Sequence, residues 1–370
     1  MQQVNFSVNE EPPSISASIE GNHYPLPALW LRERCQDAIN LDQITKQRLF
    51  DPHQLDDDIA LLHVEKKGQS KVSITFSDGY VGEYDLTEFY ADFDPWDGAP
   101  VTKAWKSHSD KSSFYIPFQE LTEQAGLIKG LEAFLIHGVI IVTDVPNEPD
   151  AILDVASKFG HVRETNFGKY FEVYTRPNST DLAYRSVPLG AHTDNPYRDP
   201  MPGIQLLHCL DNQTSGGLST LVDSLAVIEQ LKREDPEGYQ LLCEVPVRYR
   251  YKDKSVELIE RRTIIQTDTS GRVEGVSYSP RLDYLPLLPE NQLIPFHRAR
   301  KRLGQLFCHP DFEWRFKLEP GQLQMFHNSR VLHGRTGFDS NEGIRHLQGA
   351  YIDLDEPKGR YKALKQSQTI

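Results

Sequence analysis

Three His-x-Asp triplets stand in this chain: His108-Ser109-Asp110, His192-Thr193-Asp194 and His309-Pro310-Asp311. On an extended segment residues i and i+2 point to one side, so an imidazole and a carboxylate spaced in this way can reach a single metal ion. A third ligand must then arrive from elsewhere in the fold. Two neutral imidazoles and one carboxylate on one face of the ion leave the opposite positions open, which suits Fe(II) activating O2 beside a chelating cosubstrate. The triplet alone is weak evidence, and context separates the three. His108 lies in the polar stretch DFDPWDGAPVTKAWKSHSDKS, and Pro310 gives the last triplet the character of a turn. His192 and Asp194 remain. His333, in RVLHGRTGF, follows the apolar run QLQMF and is the expected distal ligand; Arg345, twelve residues further on in GIRHLQGAY, can reach the same pocket. A buried guanidinium there would bind the far carboxylate of a dicarboxylate bidentately, a task that lysine does less well. Taken singly, such a histidine is more often structural and such an arginine more often a surface ion pair. The ordered set points to chemistry.

These residues need a scaffold. At 370 residues the chain exceeds one average domain, and its 38% hydrophobic and 25% charged residues give a globular balance. A formal net charge of -13 without a basic block argues against nucleic acid or an anionic membrane as partner. The opening MQQVNFSVNEEPPS is polar and acidic. No apolar run approaches the roughly 18 to 20 residues of a membrane span, so a cytoplasmic location is expected. The scattered Cys35, Cys209, Cys243 and Cys308 are then expected as free thiols.

Residues 1–95 are expected to form a small N-terminal β-rich domain, from runs such as VSITF at 72–76 before the turn Ser77-Asp78-Gly79. Residues 96–113 lack either periodicity and read as a linker. Residues 114–370 are expected to form the larger domain. There PFQELTEQAGLIKGLEAFLIH reads as a helix running into a buried strand, VIIV at 139–142. Further strands are expected at 203–210, after Gly217, and at 312–318, 322–326 and 347–354, with a helix over SLAVIEQLKRED. Many short strands interrupted by helices predict a mainly β fold with peripheral helices, a two-sheet jelly roll and not an alternating βαβ pattern. Neither GxGxxG nor GxxxxGK[ST] occurs, so no phosphate-cradling loop is expected.

The segments LPALWLRERC at 26–35, LAYRSVPLGAHTDNPYRDPMPGIQLLHCL at 182–210, GGLSTLVDS at 216–224, HNSRVLHGRTGF and RHLQGAY resemble the γ-butyrobetaine and trimethyllysine hydroxylase branch of the Fe(II)/2-oxoglutarate dioxygenases, which are TauD/TfdA-like. The resemblance covers nearly the whole length. It implies a double-stranded β-helix preceded by a small N-terminal domain, assembled as a homodimer. It also implies iron held by His192, Asp194 and His333, with 2-oxoglutarate anchored by Arg345 and assisted by Ser219, and O2 as oxidant. Members often carry a Cys-x-Cys-x-x-Cys cluster for zinc after the WLR motif, whereas here Cys35 is followed by Gln36-Asp37-Ala38-Ile39-Asn40. One thiol cannot close a tetrahedral site. No structural zinc is expected, with packing around Trp30 and Leu31 in its place.

The same resemblance implies a quaternary-ammonium substrate held by aromatic faces at Phe167, Phe171, Tyr184 and Tyr351. A trimethylammonium has no N–H to donate and is drawn to ring faces by about 0.5–2 kcal/mol per contact, although aromatics in a jelly roll are more often plain core. Asp181 stands where butyrobetaine hydroxylases usually have Asn, a feature similar to the trimethyllysine enzymes, and a carboxylate there would repel a substrate carboxylate. Arg281, in SYSPR, can instead bind a carboxylate or phosphonate. γ-Butyrobetaine, giving carnitine, is therefore the first expectation, ahead of trimethyllysine or a trimethylammonio-alkylphosphonate. Two readings of other classes are a non-catalytic jelly-roll binding protein and a metal-dependent hydrolase; the hydrolase would select zinc and has no need of Arg345.

Overall fold

The computed structural model describes residues 4–94, 96–174 and 186–367. The chain divides into two compact units, Met1–Gly98 and Ala99–Ile370. Among the described residues no helix is long and apolar enough to cross a membrane, and the four cysteines are unpaired.

The first unit holds β1 (Val4–Asn9), β2 (Ser14–Ile19), β3 (Asn22–Pro25), the short helix α1 (Ala28–Glu33), β4 (Leu61–Lys66), β5 (Lys71–Phe76) and β6 (Val81–Asp85). They form two antiparallel three-stranded sheets, β1-β2-β3 and β4-β5-β6. Strict alternation explains the core: Ile15, Ala17 and Ile19 of β2 and Val72, Ile74 and Phe76 of β5 all point inward. Leu31 is fully buried, and the Trp30 ring meets Phe89 edge-on at 4.9 Å. The Cys35 thiol is enclosed by polar partners: Arg32 donates to its sulfur at 3.1 Å, the Tyr84 hydroxyl donates at 3.6 Å, and the thiol donates to the Arg32 carbonyl at 2.8 Å.

The second unit begins with β7 (Tyr115–Pro117), α2 (Gln124–His137), β8 (Val139–Thr143), α3 (Ala151–Phe159) and β9 (Tyr170–Tyr174). It continues with β10 (Leu189–His192), β11 (Ile204–Asn212), β12 (Ser219–Asp223), α4 (Ser224–Glu234), α5 (Pro236–Glu244), β13 (Pro246–Lys252), β14 (Glu257–Thr263), β15 (Ile265–Thr267), β16 (Val273–Val276) and β17 (Asp283–Tyr284). The last elements are α6 (Glu290–Phe307), β18 (Trp314–Phe316), β19 (Leu323–His327), β20 (Val331–Arg335), β21 (Arg345–Ile352) and α7 (Asp355–Gln366). A six-stranded sheet, β7-β8-β19-β11-β21-β9, faces a four-stranded sheet, β10-β20-β12-β18, in a jelly roll. β11 shows how the pleat sorts the chain: Ile204 and Leu206 join the core beneath α2, α3 and α7, while Gln205 and Leu207 face the cavity between the sheets. FEWRFKL yields only three residues of strand, whereas the last core strand starts earlier than expected and so includes Arg345.

The stretch 96–113 is irregular, as its composition requires, but from Ala99 onward it is part of the larger unit. The Trp105 ring is buried, its indole N–H donates to the His137 carbonyl at 2.9 Å, and its backbone N–H donates to Asp223 at 3.1 Å. Asp223 forms a buried ion pair with Arg330 at 3.1 Å and caps α4 through the Leu225 N–H. Arg330 also donates to the carbonyls of Lys103 and Ile136, at 2.7 and 2.9 Å. A single guanidinium thus fastens a periodless segment to the jelly roll. Asp223→Ala strands that charge in the interior and is expected to cost about 3–5 kcal/mol of stability in urea unfolding. Asp223→Leu combined with Arg330→Met recovers most of that loss; equal instability of the pair and the single variant would refute the account.

Candidate active site

His192 is the last residue of β10 and lies directly opposite His333 of β20 in the antiparallel register, their rings 4.3 Å apart. Asp194 follows two residues later, in a bend past the end of the strand, so its approach depends on a turn as well as on alternation. That turn is held on both sides. Thr193 donates its backbone N–H to the Tyr278 carbonyl at 2.7 Å, and the Tyr278 N–H donates to the Thr193 hydroxyl at 3.0 Å. The buried Asn328 accepts from the Asp194 N–H at 2.8 Å and donates to the carbonyls of Asp194 and Pro202 at 3.0 and 2.9 Å. Asn195 takes a left-handed φ of 53°, a conformation asparagine tolerates well.

The donor atoms converge. Nε2 of His192 and Nε2 of His333 lie 3.3 and 3.7 Å from Oδ1 of Asp194, and one ligand atom from each residue falls within 4.8 Å of the others. Nδ1 of His192 donates to the Gly190 carbonyl at 2.9 Å, which leaves Nε2 as the lone-pair nitrogen. The Tyr351 hydroxyl donates to Oδ2 of Asp194 at 2.7 Å, so Oδ1 faces the two imidazoles. Burial opposes the charge on Asp194, but His333, His192 and the Tyr351 hydroxyl outweigh it and hold the carboxyl below its usual range. Burial first, then the neighbouring His192 and Arg281, lower the His333 pKa to about 3. Two imidazoles and a carboxylate form the donor set expected of a mononuclear Fe(II) centre, and the residues fit that ion.

These residues line a cavity of roughly 540 Å³, counting its open mouth, together with Ser219, Arg335 and Arg345. Arg345 starts β21 and is 5% exposed; its Nε–H donates to the Gly217 carbonyl at 3.2 Å. Gly217 has a φ of +63°, and a Cβ there would lie 2.9 Å from the arginine side chain, so only glycine leaves room for the guanidinium. Among the described residues no carboxylate pairs with Arg345, whose pKa burial lowers. It remains a cation, because arginine does not deprotonate in proteins. An unpaired charge in a protein interior costs several kcal/mol unless an anion joins it.

Residues 97–351 match the model of the taurine catabolism dioxygenase TauD, TfdA family. The chain belongs to the TauD, TfdA dioxygenase family. Residues 18–89 match a gamma-butyrobetaine hydroxylase-like N-terminal model. Among curated proteins, the gamma-butyrobetaine dioxygenase of Pseudomonas sp. (strain AK-1) is 32% identical over 94% of this chain and 92% of its own length. The human gamma-butyrobetaine dioxygenase is 28% identical over 92% and 91%, and the trimethyllysine dioxygenase of Meyerozyma guilliermondii is 26% identical over 91% and 89%.

In this TauD, TfdA dioxygenase the remaining expected residues fall in different places. Phe171, on β9, lines the cavity with its ring 5.3 Å from Tyr351; a Cβ on Gly349, its partner across the strands, would collide with it. Phe167 sits behind Phe171 at 6.2 Å. Arg281 is exposed and outside the cavity lining, although near enough to His333 to disfavour its protonation. Asp181 and Tyr184 lie outside the described residues. The other two His-x-Asp triplets join no metal-type cluster among the described residues.

Several neighbours had no sequence signal of their own. Tyr251, from the β13–β14 hairpin, meets Phe167 at 6.2 Å and stacks on Tyr197 at 4.9 Å, extending the aromatic group. Arg262 of the same hairpin donates to the carbonyls of Pro196 and Arg198 and so braces the loop after Asp194. Arg335, two residues past His333, lies directly opposite Ser219.

The buried imidazoles make stability depend on pH. His333 near 3 and His208 near 4, the latter lowered by burial alone, both lie below the ordinary 6.5. The unfolded chain binds protons on these rings in that window while the folded protein does not, so acid favours unfolding. The melting temperature of the metal-free protein is expected to fall between about pH 6.5 and about pH 4, and less steeply in His208→Gln. An unchanged slope in that variant would count against a buried neutral His208.

Proposed function

We propose that this protein is an iron(II)- and 2-oxoglutarate-dependent hydroxylase of a small quaternary-ammonium substrate, with γ-butyrobetaine the first choice. The observation that carries the reading is the buried Arg345, without a carboxylate partner among the described residues, in one cavity with the His192, Asp194 and His333 cluster, whose donor set suits a metal. A metal-dependent hydrolase has no use for that cation, and a binding protein has no need of the cluster. Relatives named gamma-butyrobetaine dioxygenase support the substrate choice, and a relative named trimethyllysine dioxygenase keeps the second alternative in view.

His192, Asp194 and His333 would hold the iron, and Arg345, helped by the Ser219 hydroxyl, would take the distal carboxylate of 2-oxoglutarate. Iron with 2-oxoglutarate and O2 supplies an oxidation in which one oxygen atom enters a substrate C–H bond while the other leaves in succinate, with release of CO2. The protein's share is position. Tyr351 orients Asp194 with its hydroxyl and turns its ring toward Phe171, so one side chain serves both the metal ligand and the aromatic wall. Phe171 and Tyr351, backed by Phe167, Tyr251 and Tyr197, offer ring faces to a trimethylammonium. A small N-terminal β domain, a homodimer and a cytoplasmic location belong to the same reading.

The test is succinate formation by iron-loaded protein with 2-oxoglutarate and, in turn, γ-butyrobetaine, trimethyllysine and a trimethylammonio-alkylphosphonate. Substrate-stimulated succinate is expected with γ-butyrobetaine and is abolished in His192→Ala. Arg345→Leu is expected to raise the KM for 2-oxoglutarate by about tenfold or more, the equivalent of one charge-assisted hydrogen bond. Turnover confined to another ammonium substrate changes the substrate assignment; absence of both turnover and 2-oxoglutarate binding overturns the proposal.

A further inference from the structure

Two polar side chains of the cavity remain without a task. Gln205, on β11, and Gln324, on β19, are each 2% exposed and line the cavity that holds the metal-type cluster and Arg345. Both Oε1 atoms are buried without a partner. Among the described residues, no side-chain hydrogen bond joins either carboxamide to the protein. A primary amide brings two donors and an acceptor, and native interiors leave very few such groups unsatisfied. Two together in a wall otherwise built from Phe171, Val173, Leu207 and Leu347 leave amide N–H groups beside the cavity without a protein acceptor among the described residues.

Strand register fixes where they lie. Gln205 is opposite Tyr351, whose hydroxyl holds Asp194, and on its other side opposite Phe326, whose ring is 4.9 Å from His333. Gln324 is opposite Leu207, one pleat further along, and Arg345 pairs with Asn212 at the far end of the same strand. The two amides therefore pave the floor between the metal-type cluster and Arg345. The trimethylammonium group of the substrate offers no acceptor to their N–H groups. A 2-oxo dicarboxylate stretched from the cluster to the guanidinium presents oxygen acceptors along this floor.

We propose that Gln205 and Gln324 are cosubstrate-binding residues that donate amide N–H groups to the oxygens of the 2-oxo dicarboxylate. Gln205 serves the 2-oxo acid head, and Gln324 the side nearer Arg345. The assignment rests on the cosubstrate reading above and adds two residues to it.

Gln205→Met and Gln324→Met keep length and approximate volume while removing every amide hydrogen bond. The measurements are the melting temperature of each metal-free variant, 2-oxoglutarate binding to the anaerobic Fe(II)-loaded protein by calorimetry, and separate KM values for 2-oxoglutarate and the ammonium substrate. Each variant is expected to melt no lower than the wild type, since an unpaired polar group has been removed. It is also expected to bind 2-oxoglutarate about tenfold more weakly, about 1.4 kcal/mol, with the ammonium KM changed by less than about twofold. A lowered melting temperature with unchanged 2-oxoglutarate affinity assigns the amides to structure and overturns the inference. Wild-type protein that fails to bind 2-oxoglutarate overturns the cosubstrate reading itself, and this inference with it.

Discussion

The antiparallel register that sets His192 of β10 opposite His333 of β20 is the constraint on which the cavity depends. A slip of one residue would turn both side chains to the opposite face, because the side-chain period of a strand is two. The register is protected by its neighbours: β12 pairs along the other edge of β20 and places Leu221 against His333 and Ser219 against Arg335. Asp194 then needs only a bend of two residues. Asn328 and Tyr278 clamp that bend from elements distant in sequence.

Around this pair the interior carries more polarity than a jelly-roll core needs for stability. Asp194, His333, Arg345, Gln205 and Gln324 all lie between the sheets, where each would be replaced by an aliphatic residue if packing were the only requirement. Protein partners stabilise some of them, as Tyr351 does Asp194. Others are less well satisfied: among the described residues Arg345 has one backbone carbonyl as hydrogen-bond partner, and the glutamines have no side-chain hydrogen bond. Such incomplete satisfaction is what a site for a polar ligand looks like before the ligand is considered.

The surroundings hold these groups still. The buried Arg330–Asp223 pair ties the irregular stretch around Trp105 to α2 and α4. The β13–β14 hairpin braces the loop after Asp194 through Arg262 and extends the aromatic group through Tyr251. In the N-terminal unit, Arg32 and Tyr84 surround the Cys35 thiol with hydrogen bonds, beside a core built from the period-two faces of β2 and β5.

Much of this was legible in the chain itself. Alternating or β-branched runs gave the core strands at 139–142, 203–210 and 322–326, and residue type with spacing singled out His192, Asp194, His333 and Arg345, because metal and carboxylate chemistry restrict which side chains can serve. Other features have no one-dimensional signature. Gln205 and Gln324 look like ordinary interruptions of apolar strands until register aligns them on one floor. Tyr351 reads as an aromatic until its hydroxyl is found on Asp194, and Tyr251 and Arg262 come from a hairpin that no spacing connects to the triplet. Local sequence determines which face of a strand is apolar and which residues have suitable chemistry. Only strand pairing between distant segments decides which of them meet, since those contacts depend on register and closure of the sheets and not on neighbours along the chain.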